Sequence, residues 1–384
     1  MTVFGTRPDT IKMAPVVHAL AAEPRIDDVV CVTGQHREML DDLLALFEID
    51  PDYDLDIMTE DQTLTEITTR VLIGMEPVLA RARPDVVLVH GDTTTSTSAA
   101  LAAFYAQIPV GHVEAGLRTN DRWLPYPEEM NRRLTATIAT YHFAPTSLAR
   151  EHLLRENVPD ADIVVTGNTV IDAFLETARR TDLPAPPRWN ELAPERAIVV
   201  ITAHRRENRD FMRDIAEAMR DIAEFSSHPQ LYWPVHPSPR VTTPAHAVLD
   251  GIPGVVLVDP IDYAQMVYAV RASHFVLTDS GGLQEEAPCL GKPVLVMREE
   301  TERPEGLDAG TLELVGHRRE RIVAAARRLL NDGAHYATMA RAVNPYGDGR
   351  AAERVVAWLL ARLREGTYPV PFAGEAPGRA VAGS

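Results

Sequence analysis

Short apolar runs rich in β-branched residues alternate with longer segments of helical periodicity along the chain. The runs form the cores of MTVFG, DDVVCVTG, PDVVLVHGD, IPVGHVEAG, RAIVVITAH, QLYWPVHP, GVVLVDP, SHFVLTDSGG and KPVLVM. Continuous apolar runs of this length are typical of parallel strands that are buried on both faces. Their alternation with helices predicts an α/β fold built from doubly wound sheets.

A proline-rich segment, TDLPAPPRWNELAPE at residues 181–195, separates two sets of these runs. Its prolines exclude helix interiors and central strands, and a chain of 384 residues favours two domains. We therefore predict one Rossmann-like domain over residues 1–170 and a second over 171–347. Residues 348–366 are expected to form an amphipathic helix, and the Pro/Gly/Ala-rich residues 367–384 a flexible tail.

The composition narrows the partners of the chain. A net charge of −17 argues against broad binding to nucleic acid or to a membrane surface, because both require a basic face. The chain has no charged-then-apolar leader and no uninterrupted apolar span of about 20 residues, so we expect a cytoplasmic protein. Cys31 and Cys289 have no metal-ligand spacing and are expected to be buried thiols.

Polar residues cluster where the predicted strands end, which is where open parallel sheets bind ligands. Asp92 follows VVLVHG, Glu114 follows VGHV, and Glu128 begins the helical stretch EEMNRRLTATIA. One carboxylate alone is usually a cap or a structural hydrogen-bond acceptor, and one histidine alone is usually a core residue. Three carboxylates together with His204, which stands beside two arginines, instead favour acid/base chemistry at strand ends.

The stretch LTDSGGLQEEAPCLGKPV suggests a nucleotide site. Ser280 and Gly281 begin a helix after a strand, where backbone amides can approach a phosphate, and Arg303 is placed to reach a diphosphate. One of Glu285 and Glu286 could accept hydrogen bonds from ribose hydroxyls. The alternative is that both glutamates only complement the helix dipole. The stretch GTRPDTIK lacks the residue spacing of a phosphate-binding loop. The histidines and acidic residues are not spaced closely enough along the chain to predict a metal site.

Read together, these motifs resemble the non-hydrolysing UDP-N-acetylglucosamine 2-epimerases. The resemblance covers nearly the whole chain, to about Trp358. The matching stretches are FGTRPDTIKMAPV, GQHREML, HGDTTTSTSAALAAFY, PVGHVEAGLRT, YPEEMNRR, FAPT, TGNTVIDA, TAHRREN, LTDSGGLQEEAPCLGKPVLVMREETERPE and NPYGDGRA.

The resemblance implies a glycosyltransferase type-B-like fold, with two Rossmann-like domains facing a cleft and a C-terminal helix that crosses back to the first domain. It implies that a homodimer interconverts UDP-N-acetylglucosamine (UDP-GlcNAc) and UDP-N-acetylmannosamine (UDP-ManNAc) without an added cofactor or metal. The family reaction is an anti elimination of UDP to 2-acetamidoglucal, followed by syn re-addition. Elimination requires a base at carbon 2 and stabilisation of the leaving diphosphate.

The resemblance also implies roles for individual residues. Asp92, Glu114, Glu128 and His204 match catalytic positions, although the face of the sugar on which each carboxylate acts is left open. The positions that match UDP or sugar contacts are Arg7, Lys12, Arg132, His236, Ser280, Gly281, Glu286 and Arg303. Bacterial relatives are often activated by a second substrate molecule, and the matching candidate residues are Gln35, His36, Gln62 and Arg205.

Two departures bear on that activator site. Glu38 and Asp61 stand where activated relatives commonly have glutamine and arginine. Acids in place of an amide and a cation should repel a diphosphate, which argues against activation. Three other functions are compatible with the same candidate residues. They are a hydrolysing epimerase that releases UDP and N-acetylmannosamine, a retaining glycosyltransferase, and a nucleotide-sugar binding protein without catalysis.

Overall fold

The computed structural model describes residues 1–35, 37–59, 61–364 and 370–374, without the side chains of 37–39 and 364. The described chain divides into two compact units. The first unit contains Met1–Ala173 and Tyr346–Gly374, and the second contains Phe174–Pro345.

The strands of the described residues alternate with helices, as the hydrophobic pattern predicts. The strands are β1 (Thr2–Phe4), β2 (Val30–Val32), β3 (Tyr53–Asp54), β4 (Val87–His90), β5 (Val110–Val113), β6 (Tyr141–Ala144), β7 (Ile163–Val165), β8 (Ile198–Thr202), β9 (Gln230–Pro234), β10 (Val255–Val258), β11 (Phe275–Thr278), β12 (Val294–Val296) and β13 (Leu312–Leu314).

The α-helices connect successive strands. They are α1 (Arg7–Ala21), α2 (Arg37–Leu46), α3 (Leu64–Ala82), α4 (Thr94–Tyr105), α5 (Glu128–Ile138), α6 (Ser147–Arg155), α7 (Thr169–Arg179), α8 (Met212–Ala223), α9 (Pro239–Leu249), α10 (Tyr263–Ala272), α11 (Gly281–Glu286), α12 (Pro304–Ala309), α13 (Arg319–Asn331), α14 (Gly333–Ala340) and α15 (Ala351–Arg364). Short 3-10 helices cover Asp160–Asp162, Trp189–Glu191, Arg206–Phe211 and Ala287–Leu290.

Each unit contains one parallel sheet. The strand order is β3-β2-β1-β4-β5-β6-β7 in the first unit and β10-β9-β8-β11-β12-β13 in the second. Both orders reverse direction once, between β1 and β4 and between β8 and β11, as in doubly wound folds. The predicted α/β class with two Rossmann-like domains is therefore confirmed.

The cores explain the continuous apolar runs. Every residue of β4 and β8 is buried, because helices cover the sheets and leave no polar face. The largest fully buried side chains are Trp233 and Tyr232 in the second unit and Phe4 and Phe143 in the first unit. Burying an aromatic side chain of this size contributes roughly 2–3 kcal/mol, so these residues anchor the sheets that carry the polar strand ends.

Several elements differ from the pattern-based prediction. The short strands β3, β6, β7 and β13 did not stand out, because two to four residues, some of them polar, leave little periodicity. The proline-rich segment 181–195 belongs to the second unit, where the Trp189 ring packs 4.9 Å from that of Tyr232. Cys31 is buried as expected, whereas Cys289 is partly exposed.

The last described helix, α15, belongs to the first unit. Trp358 makes edge contacts with Tyr141 at 4.9 Å and Phe143 at 5.4 Å between ring centroids. The N–H of Ala352 donates to the buried Asp172 carboxylate at 2.8 Å, and burial raises the pKa of that carboxyl to about 6.

Five residues of the expected flexible tail, 370–374, are described by the structure. Phe372 is buried, and its N–H donates to Val165 O at 2.8 Å. The other tail residues, 367–369 and 375–384, lie outside the described residues. Across the described ranges, no helix has both the length and the hydropathy needed to cross a membrane.

Candidate active site

The candidate residues of the first unit lie at the carboxyl ends of its central strands. Arg7 begins α1 directly after β1, and Lys12 lies in the second turn of that helix. The Thr6 side chain caps α1. Pro8 fits the first turn of this helix because N–H groups there have no acceptor within the helix, so proline, which lacks an N–H, loses no hydrogen bond. Asp92 and Glu114 follow β4 and β5, so these residues border the point where the strand order reverses.

Glu114 is a buried carboxylate with several polar neighbours. Lys12 Nζ donates to its Oε1, and Asn168 Nδ2 donates to the same oxygen at 2.9 Å. Its backbone has φ 64°, a left-handed conformation that costs a non-glycine residue about 1 kcal/mol or more and is enriched at functional sites. A Cβ on Gly91 would lie 3.2 Å from Glu114 Oε2, which explains a glycine before Asp92.

Asp92 and Arg132 form a second charged pair. Arg132 donates to Asp92 Oδ2 from Nε at 2.9 Å and approaches it from Nη2 at 2.7 Å. Arg132 also lies 3.4 Å from the fully buried Glu129, which accepts from the N–H of Thr119 at 3.0 Å. Within the described residues, the ion pairs of Arg132 are therefore with Asp92 and Glu129. Glu129 therefore helps to place the cation beside Asp92.

Glu128, at the first position of α5, is partly buried. Its Oε2 is inaccessible to solvent and has no hydrogen-bond partner among the described residues. A buried carboxylate oxygen without a donor is costly, and a catalytic role is one of the explanations for such a group in a folded protein. Glu128 thus differs from Glu114 and Asp92, whose carboxylates contact cations.

In the second unit, His204 follows β8 and is held by Asp279, which follows β11. Asp279 Oδ2 accepts from the N–H groups of His204 and Arg205, both at 2.8 Å, and from Asn208 Nδ2 at 3.0 Å. Its Oδ1 lies 3.2 Å from His204 Nδ1. Partial burial lowers the pKa of His204, and the nearby Asp279 charge opposes that shift. His236 stacks on His204, with ring centroids 6.0 Å apart.

Two arginines converge on the start of α11. A Cβ added to Gly281 would lie 3.4 Å from Arg205 Nη2 and 3.8 Å from Arg303 Nη2. Glu285 is buried and accepts from Arg303 Nε, whereas Glu286 is partly exposed. The two glutamates therefore differ in setting: Glu285 contacts an arginine, and Glu286 keeps partial exposure to solvent. The combination of cations and helix N–H groups suits an anion.

The candidate activator residues are only partly described. Gln62 Nε2 donates to the backbone oxygen of Gln35 at 3.4 Å, and Gln35 Oε1 accepts from Thr95 at 2.6 Å. His36 lies outside the described residues, and Arg205 belongs to the second unit. Among the described residues, no group of three or more histidine, cysteine and acidic side chains is arranged to hold a metal ion.

Sequence reasoning missed several residues that contact the candidates. Asn168 and Glu129 were not selected, although both stand in family-like stretches, TGNTVIDA and YPEEMNRR. Asp279 lies in the stretch LTDSGGLQEEAPCLGKPV but was not selected, and its fully buried side chain holds the loop of His204. For Asp279 the available signal was a polar residue directly after the apolar strand β11, whereas Glu129 lies inside α5 and had no such signal.

The chain is similar to proteins of known family over most of its length. The family model described as UDP-N-acetylglucosamine 2-epimerase matches residues 18–360. The UDP-N-acetylglucosamine 2-epimerase of Yersinia pestis is 55% identical over 364 residues, which are 93% of this chain and 96% of that protein. The protein of the same name from Escherichia coli strain K12 is 53% identical over 365 residues, with the same two coverages of 93% and 96%.

A solved structure extends the comparison to three dimensions. The UDP-GlcNAc 2-epimerase of Neisseria meningitidis bound to UDP-GlcNAc is 45% identical, with a TM-score of 0.84. The match covers 94% of this chain and 98% of that one. The chain therefore belongs to the UDP-N-acetylglucosamine 2-epimerase family.

Proposed function

We propose that this enzyme interconverts UDP-GlcNAc and UDP-ManNAc by eliminating and re-adding UDP. The observation that carries the proposal is the set of three acidic side chains, Asp92, Glu114 and Glu128, near the strand ends of one unit. Their settings differ, since two contact cations and the third has a buried oxygen for which the described part of the chain offers no hydrogen-bond partner. Different settings suit carboxylates that must remove a proton and return one.

The proposed reaction balances without a cofactor. A carboxylate takes the proton from carbon 2, the bond between carbon 1 and the diphosphate oxygen breaks, and its electron pair leaves with UDP. The intermediate is 2-acetamidoglucal. Re-addition forms the carbon 1–oxygen bond again, while an acid protonates carbon 2 from the other face, so the stereochemistry at carbon 2 inverts. Which of the three carboxylates acts on which face stays open.

The second unit is proposed to hold UDP. Arg205 and Arg303 near the start of α11 supply positive charge for the diphosphate, which becomes more negative as it leaves. The partly exposed Glu286 is proposed to accept hydrogen bonds from ribose hydroxyls. His204 and His236, stacked beside the buried Asp279, are proposed to contact the same ligand.

Conservative substitutions test the catalytic assignment. Asp92→Asn, Glu114→Gln and Glu128→Gln should each lower kcat by about 100-fold or more, because an amide cannot exchange a proton. Binding of UDP, measured by calorimetry, should change by less than about threefold. Near-normal rates in all three variants would refute the assignment, and free UDP with N-acetylmannosamine as products would establish a hydrolysing enzyme instead.

We further propose that the enzyme is a homodimer that pairs through α3 and α4. Ile73, Phe104 and Tyr105 are 66%, 59% and 69% exposed, beside a groove of about 710 Å³. Large exposed apolar side chains on adjoining helices are typical of contact surfaces. Two copies with a net charge of −17 each would meet with least repulsion at an apolar face that carries both signs of charge, Glu76 and Arg83.

The oligomeric state is measured by sedimentation. Ile73→Glu should shift the enzyme towards monomer, because a buried unpaired charge opposes association. Val343→Glu, at a 58% exposed position in the second unit, is the matched control. A wild-type monomer, or an unchanged dimer in Ile73→Glu, would refute this interface.

The cytoplasmic location expected from the sequence remains a prediction.

A further inference from the structure

His90, the last residue of β4, connects two carboxylates in the first unit. Its Nδ1 lies 3.3 Å from Asp9 Oδ1, and its Nε2 lies 3.5 Å from Glu114 Oε2. The three side chains are at most 5% exposed. Within the described residues His90 Nε2 is buried without a hydrogen-bond partner, so its 3.5 Å approach to Glu114 is a charge contact and not a formed hydrogen bond.

The surroundings fix the positions of all three groups. Thr93 Oγ1 donates to Asp9 Oδ2 at 3.0 Å, and Ser96 Oγ donates to the backbone oxygen of His90 at 2.5 Å. Glu114 Oε1 accepts from Lys12 and Asn168, which leaves Oε2 as the oxygen that faces His90. In the series Asp9–His90–Glu114, the Nδ1 atom of the imidazole therefore faces Asp9 and the Nε2 atom faces Glu114.

A proton count gives this line its chemistry. The Asp9 carboxylate is an acceptor, so the nitrogen that faces it, Nδ1, carries a hydrogen. Nε2 of the neutral imidazole is then an acceptor, and so is an ionised Glu114. The two atoms can share a hydrogen bond only when one proton lies between them. Either Glu114 is neutral and donates to Nε2, or His90 is an imidazolium and donates to the Glu114 carboxylate.

We propose that His90 and Asp9 form a relay that holds the proton of Glu114 during epimerisation. The inference rests on the proposed function, in which Glu114 exchanges a proton with carbon 2. The proton then moves between Oε2 and Nε2, while Asp9 accepts from Nδ1 in both states. Only an O–H bond and an N–H bond change. His90 and Asp9 are positioning residues, because they act on the substrate through Glu114.

Among the described residues, the charged and titratable groups that face His90 include members of α1 and β5. Asp9 lies on α1, together with the Lys12 that contacts Glu114, and β5 contributes His112 and leads into Glu114. Lys12 and Asn168 donate to Oε1 of Glu114, and His90 Nε2 faces Oε2, so His90 is placed to respond to the protonation of that oxygen. Loss of His90 should therefore change proton transfer more than substrate binding.

The test compares His90→Gln and Asp9→Asn with wild type. A glutamine cannot take up the proton, so kcat should fall about 10- to 100-fold, while KM for UDP-GlcNAc stays within about twofold. Asp9→Asn should lower kcat in the same direction, because an amide does not fix the imidazole tautomer. The matched control is His142→Gln, which replaces another buried histidine, on β6, and should keep normal kinetics.

A double variant separates the relay from a structural role. If His90 acts through Glu114, adding His90→Gln to Glu114→Gln should change the residual rate by less than about twofold. The pH profile of kcat should also change in His90→Gln. The limb that reports the shared proton of Glu114 and His90 should move along the pH axis relative to wild type. A structural role would instead raise KM and leave that limb in place.

Each outcome decides between the proposals. Normal kcat and an unchanged pH profile in His90→Gln, with an active wild type, would overturn the relay and leave the proposed function intact. Independent, multiplying losses in the double variant would also overturn it. No epimerisation by either wild type or His142→Gln would refute the proposed function and the relay with it. If His90→Gln does not fold, Asp9→Asn decides by the same comparisons.

Discussion

Replacing Asp279 tests how the loop of His204 is held. The Asp279 side chain is fully buried, and its Oδ2 accepts three hydrogen bonds, from the N–H groups of His204 and Arg205 and from Asn208. In Asp279→Ala all three donors lose their acceptor. Each buried unsatisfied donor costs about 1–3 kcal/mol, and water entering the space would recover part of this cost. We expect a total loss of about 3–5 kcal/mol.

Asp279→Asn should be much milder. An asparagine oxygen can still accept from the loop, so the expected loss is about 1–2 kcal/mol. Urea denaturation followed by tryptophan fluorescence measures both variants, because Trp233 is a fully buried reporter in the second unit. The control is Asp250→Asn, which removes an exposed carboxylate 2.8 Å from His246 and should change stability by less than about 0.5 kcal/mol.

The Asn variant also has a kinetic signature. Asp279 opposes the lowering of the His204 pKa by burial, so removing its charge should lower that pKa further. The limb of the kcat profile that reports His204 should therefore move to lower pH. An Ala variant as stable as wild type, or a limb that moves to higher pH in the Asn variant, would refute the reasoning.

Three further predictions follow from single residues. Burial lowers the pKa of His112 to about 3, so its contribution to stability is complete above pH 6.5 and is lost as the pH falls towards 3. The loss should be about 2 kcal/mol at pH 5, and a flatter stability curve in His112→Gln, measured by denaturation, would support it. Glu286→Gln should weaken UDP binding about tenfold and leave binding of 2′,3′-dideoxy-UDP unchanged, as measured by calorimetry; equal losses for both nucleotides would contradict the ribose contact. Gly91→Ala should lower kcat at least tenfold because its Cβ crowds Glu114. The control is Gly251→Ala, where φ is 77° and no atom lies within 4 Å, so this variant has only the cost of the left-handed backbone. Equal activities of the two variants would contradict the crowding of Glu114.

The sequence was informative about elements with a strong local pattern. Continuous apolar runs identified the central strands, and the polar residues after them indicated the sheet edge at which we expect a ligand to bind. Strands such as β3, with only Tyr53 and Asp54, carry too few residues for a pattern. Their pairing depends on a neighbouring strand that is already in place.

The partners of the candidate residues could not be predicted for a different reason. Asn168 meets Glu114 across 54 residues of sequence, and His90 meets Asp9 across 81. Local spacing contains no signal for such contacts, because the fold alone brings the two residues together. The choice of Glu286 over Glu285 came from family resemblance, and the structure adds a physical reason, since Glu285 is buried against Arg303.

The most direct test of the central claim is proton NMR of UDP-GlcNAc with the purified enzyme in deuterated water. The account predicts growing UDP-ManNAc signals with deuterium at carbon 2, without added metal or cofactor, because the proton removed there is replaced through an exchangeable carboxylic acid. UDP with free N-acetylmannosamine would contradict re-addition of UDP. UDP-ManNAc that retains the original proton at carbon 2, or an unchanged spectrum, would contradict acid/base epimerisation by Asp92, Glu114 and Glu128.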